Sequence, residues 1–80
     1  MKINLVTGQF KKKDAIDLIS HLIHVKIQFH EKNIDKNDNE DDIKMREKRI
    51  IQLQKDLFEA RKYIDQNTER EISLEVEIKL

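Results

Sequence analysis

From Glu71 the chain reads EISLEVEIKL, where Ile72, Leu74, Val76, Ile78 and Leu80 alternate without a break with Glu71, Ser73, Glu75, Glu77 and Lys79. Successive side chains of a strand point to opposite faces, so this pattern predicts a half-buried strand over 71–79 with one charged side. The opening KINLV carries a shorter version, with Ile3 and Leu5 on one side and Lys2 and Asn4 on the other. Thr7-Gly8 interrupts it, which predicts a strand over 2–7.

Between these ends the period changes to that of a helix. Ala15, Ile16, Leu18, Ile19, Leu22, Ile23, Val25, Ile27, Phe29 and Ile34 cover an arc of roughly 200° at the helical repeat, while Asp14, Asp17, Ser20, His21, His24, Gln28 and Glu31 fill the rest. This is a helix over 12–34, and a face so wide calls for two neighbours. In the following segment Ile43, Ile50, Leu57 and Ile64 recur every seventh residue, with Leu53 and Ala60 three places further on. That heptad seam predicts a second helix over 40–66 with coiled-coil-like packing. Asp38 or Asn39 is placed to cap it, and Glu40, Asp41 and Asp42 set negative charge against the positive end of its dipole. Asn67, tolerant of the left-handed conformation, is its expected terminator.

The polar stretch 35–39 is short, so the helices fold back as an antiparallel hairpin and the strands emerge at one end. The expected fold is α+β, mainly α, in the order β-α-α-β as a single domain over 1–80. An isolated two-stranded sheet is marginal in water, and an 80-residue chain buries too little surface to be very stable alone. Disulfides are excluded because there is no cysteine, which also removes thiolate zinc sites and cysteine nucleophiles. Oligomerisation, expected as a homodimer, is the leading remaining aid. Sixteen basic and sixteen acidic residues give a formal net charge of zero, which argues against a general nucleic-acid binder. No apolar run reaches membrane-spanning length and no secretory signal is visible, so the expected location is cytoplasmic.

Polar residues on the apolar arc raise the question of chemistry. Lys26 and His30, in the stretch KIQFH, fall among the first helix's apolar positions, and the hairpin register sets His30 opposite Glu47. A carboxylate beside a histidine and a lysine has the makings of an acid/base group; the same trio also serves to fix helix register. Asp17, His21 and His24 share the polar face at a spacing that allows a transition metal. Asp35-x-Asn37-x-Asn39 begins like a calcium loop, but Glu40 replaces the needed glycine and Arg46 the bidentate glutamate. Lys11, Lys12 and Lys13 form a basic patch at a helix start, where positive charge opposes the dipole; with Lys48, Arg49 and Lys55 it is the chain's candidate for binding nucleic acid or an acidic ligand, the alternative function. Ser20, Ser73, Thr7 and Thr68 have no nucleophile setting, and the single glycine, Gly8, excludes phosphate-cradling loops. No cofactor is expected. Phe10 is placed to clamp the start of the first helix.

Gly8-x-Phe10, Ala15, Lys26-Ile27-x-Phe29-His30, Lys48-Arg49-Ile50 with Leu53, and the closing alternating strand together resemble a group of small bacterial proteins sharing a KIxFH motif. Those relatives start the first helix with Ser/Thr-Pro-Glu-Glu, where this chain has Lys11-Lys12-Lys13-Asp14. The group brings no activity with it; the resemblance implies only that Lys26, Phe29 and His30 matter. The expected function is a non-catalytic interaction or scaffolding module that self-associates, with Leu18, Leu22, Val25, Phe29, Ile72, Leu74, Val76 and Ile78 as its contact residues.

Overall fold

The computed structural model describes residues 1–36, 38–67 and 69–79. Asn37 of the calcium-like loop, the hydroxyl-bearing Thr68 and the final apolar position Leu80 lie outside them. The elements follow the order β1 (Lys2–Lys11), α1 (Lys12–Asp35), α2 (Glu40–Gln66) and β2 (Glu71–Lys79). The fold is the β-α-α-β arrangement that the pattern predicts, with β1 and β2 paired antiparallel within the one chain.

β1 is longer than the 2–7 expected. Gly8 does not end it, because its φ of +144° is open to glycine, and it stays in register opposite Leu74. The ladder then continues through Phe10 opposite Ile72 to Lys11 opposite Glu71. Nearer the other end the register shifts between Asn4 and Val6, which leaves Leu5 without a partner in the ladder, as a bulge does. The apolar pairs are therefore Ile3 with Ile78, Val6 with Val76, and Phe10 with Ile72, and the simple pairing of Ile3 with Leu5 on one face is replaced.

α1 begins directly from β1. Lys11 occupies its cap position in an extended conformation without a side-chain cap, so the start is held by packing instead. Phe10, just before the cap, lies against the cluster that contains Ala15, the two positions a hydrophobic staple uses. At the other helix the capping is polar: the Asn39 side chain accepts from the backbone N–H groups of Asp41 and Asp42, at 2.9 and 3.2 Å. α2 ends at Asn67, but not in the left-handed conformation expected. Its φ and ψ of −71° and 133° are extended, and its side-chain oxygen accepts from Glu69 N–H at 2.8 Å. The short polar side chain closes a local turn and so turns the chain into β2.

Ala15, Ile64 and Ile72 form the core where the sheet meets both helices, with Phe10, Ile16, Ile19 and Leu74 packed around them. Ala15 is completely buried; its single methyl group lets α1, α2 and β2 approach one another. Ile27 is buried further along the hairpin. Among the described residues no large side chain is fully buried, and the shape explains why. The molecule measures 47 × 33 × 14 Å with a radius of gyration of 15.1 Å, where a compact chain of this length would have about 12 Å. It is one layer thick. Ile64→Ala, by opening a cavity in this small core, is expected to lower the unfolding free energy by about 2–4 kcal/mol, measurable as a reduced urea midpoint by circular dichroism.

Candidate interaction surface

α1 carries two apolar faces with different fates. One contains Ile16, Ile23, Ile27, His30 and Ile34 and lies against α2, as the burial of Ile27 and the contact of His30 with Arg46 show. The other, about 140° round the helix, consists of Leu18, Leu22, Val25 and Phe29, spaced four, three and four residues apart. This is heptad spacing, and the stripe points away from the hairpin's own seam. Leu18 and Leu22 are half-buried, whereas Val25 is 51% and Phe29 56% exposed. A shallow groove lies along the same flank at each end of the stripe. Phe10, Asp14, Asp17, Leu18 and His21 line one, and Val25, Gln28, Phe29 and Lys32 are among the residues lining the other.

The sheet residues expected to meet another chain divide along its length. Ile72 sits in the chain's own core, Leu74 and Val76 are half-buried, and Ile78 is exposed with Ile3 opposite it. Cover by the helices thus falls away toward the far end of the ribbon. On α2 four further residues, Met45, Ile51, Phe58 and Tyr63, are exposed; Ile51 and Phe58 stand seven residues apart, with Gln54 between them in a groove edge.

The hairpin register brings His30 to Arg46 rather than to Glu47. Arg46 Nη1 lies 3.1 Å from His30 Nδ1, while Glu47, one residue and about 100° further round α2, is exposed. Arg46 is held in turn by Asp42, its Nε donating to Oδ2 at 3.1 Å. A guanidinium only donates, so His30 Nδ1 accepts and the ring's proton sits on Nε2. Phe29 joins the cluster: its ring is edge-on to the His30 ring at 5.6 Å, and the Arg46 guanidinium lies 5.8 Å from its centre. Lys26 is exposed and keeps its ammonium in water along a mostly apolar face, as a lysine stem permits. The expected Lys26, His30, Glu47 acid/base trio is therefore not assembled. Arginine cannot take a proton in its place.

Elsewhere, Asp17, His21 and His24 remain on the exposed or rim side of α1, and among the described residues no group of three His, Cys, Asp or Glu comes together to hold a metal. The basic patch is divided. Lys12 turns its ammonium to the main-chain carbonyl of Asn67, at the C-terminal end of α2, whose last turn has no basic residue of its own. It offsets that helix's negative pole, while Lys11 and Lys13 stay exposed. The signal for this role was positional: a lysine opposing its own helix dipole can serve the end of the neighbouring helix. No helix among the described residues is long and apolar enough to cross a membrane. No protein-family model matches the chain, and neither a curated protein nor a solved structure does.

Burial, followed by the positive charges of Arg46, Lys26 and Arg49, holds the His30 pKa below its ordinary 6.5, with Asp42 opposing. The unfolded chain thus takes up this proton more readily than the folded one. The His30 contribution to stability is complete above pH 6.5 and is lost as pH falls from there through the depressed folded value. Urea midpoints are expected to drop as the pH is lowered through and below 6.5, and His30→Gln, which keeps an acceptor for Arg46, should flatten the part of that slope due to this residue.

Proposed function

We propose that this protein is a cytoplasmic, non-catalytic interaction module that self-associates, and that its contact surface is the outward stripe of α1, Leu18, Leu22, Val25 and Phe29. The observation that supports this most directly is that the heptad spacing lies on the side of α1 facing away from α2, with Val25 and Phe29 exposed. The single chain covers Leu18 and Leu22 only in part and leaves Val25 and Phe29 more than half exposed, and contiguous exposed apolar patches mark interaction sites. The uncovered far end of the ribbon, Ile3 and Ile78, extends the apolar area. The KIxFH resemblance fits the same picture, since that stretch holds the core residue Ile27, the stripe residue Phe29 and the hairpin residue His30.

Light scattering at micromolar concentration is the direct test. The expected mass is twice the chain's 9.6 kDa. Val25→Glu, which sets a charge in the middle of the stripe, should weaken association on the order of a hundred-fold while leaving the helical circular dichroism spectrum in place. A wild-type chain that stays monomeric at these concentrations overturns the proposal.

A further inference from the structure

We infer that the occupant of the stripe is a second copy of this chain, lying antiparallel, with α1 packed on α1 about a two-fold axis midway between Leu22 and Val25. The inference rests on the reading of the stripe as a self-association surface and adds the partner's orientation. Three observations carry it.

The first is area. The chain exposes 6693 Å², against about 5,100 Å² for a compact monomer of its mass. The excess of roughly 1,600 Å² per chain comfortably covers the ~800 Å² that each partner contributes to a standard interface.

The second is self-complementarity. The spacing of four, three and four reads the same in both directions. A two-fold axis midway therefore sets Leu18 against the partner copy's Phe29 and Leu22 against its Val25, so that every large apolar residue of the stripe meets another. The grooves fit this arrangement. Phe29, the most exposed residue of the stripe, is brought to the groove beside Leu18 and Phe10 in the other copy.

The third is charge, which separates antiparallel from parallel pairing. Asp14 borders the groove at Leu18 and Lys32 the groove at Phe29, both exposed and on the same flank of α1. Antiparallel pairing brings Asp14 of each copy to Lys32 of the other, twice over. Parallel pairing about a two-fold along the helices instead carries this flank to opposite sides of the interface, so Asp14 and Lys32 gain no opposite charge there, and Lys36, close to the centre line of the stripe, stacks on Lys36. In the antiparallel form Lys36 falls opposite Lys11 at the outer ends, where water and salt screen the repulsion.

Charge reversal tests the arrangement. Asp14→Lys and Lys32→Asp should each weaken the dimer roughly ten-fold, since two exposed ion pairs become two repulsions. The double variant D14K/K32D restores both pairs with exchanged signs, and its dissociation constant should return toward the wild-type value. Because the chain has no cysteine, a spin label on Lys36→Cys gives a second measurement that leaves stripe and ion pairs intact. The label-to-label distance should be about 38 Å, from 25 residues at the helical rise. A dimer whose labels lie within about 15 Å, and whose affinity Asp14→Lys leaves unchanged, overturns the antiparallel arrangement while the self-association reading stands. A monomeric wild-type chain overturns both.

Discussion

One antiparallel neighbour shields only one side of a helix, and α1 is apolar over much more than that. Everything distinctive about the molecule follows from this mismatch. α2 covers the arc of Ile16, Ile23 and Ile27, and the ribbon covers Ala15 and Ile19 at the helix start. Neither covers Val25 or Phe29, which stay more than half exposed although Arg46 of α2 lies against the Phe29 ring. With two helices and two strands arranged in a layer 14 Å thick, no element among the described residues covers the other side of α1. A second layer must cover the stripe, or it faces water.

The junction at Ala15 shows how a chain with so small a core still defines its geometry. Three elements meet at a residue whose side chain is one methyl group, and the larger residues Ile64 and Ile72 close over it. Phe10 fixes the turn from β1 into α1, and Lys12 ties the beginning of α1 to the end of α2 through the Asn67 carbonyl. Asn67 in turn directs the chain into β2. These contacts lie within a few residues of one another at the base of the hairpin. They orient the ribbon but leave its far end, at Ile3 and Ile78, with little underneath it.

Periodicity made the architecture legible. Alternation located β2 and the heptads located α2 because burial on one side imposes those periods directly on residue choice. The departures arose where the deciding feature is not periodic. Gly8 looks like a break in a list of residue types, yet a strand tolerates a positive φ where the residue has no side chain, and pairing with Leu74 continues through it. The bulge at Leu5 shifts the face assignments by one without leaving a mark on composition. Asn67 ends its helix by a side-chain turn rather than a left-handed backbone; the same short amide supports either. The hairpin register was legible to within one residue. One residue is about 100° on a helix, so Arg46 and not Glu47 reached His30, and a supposed acid/base group became a neutral histidine accepting from an arginine.

The stripe illustrates a different limit. All four of its residues are visible in the sequence as members of the wide apolar arc, and the 4-3-4 spacing is there to be counted. Which part of the arc the hairpin itself uses is not, since two faces about 140° apart on one helix are equivalent until α2 is placed. Once it is, the division has an energetic consequence. Among the described residues only four hydrophobic ones are buried in the single chain, so the monomer retains a small apolar contribution to set against the chain entropy that folding removes. Covering Leu22, Val25 and Phe29 in a second copy would add side chains worth about 1.5–3 kcal/mol each when fully buried, comparable to the contribution of the internal core. Association and folding are then two parts of one equilibrium. In the proposed dimer the exposed positions of α1 would carry stability as well as contact.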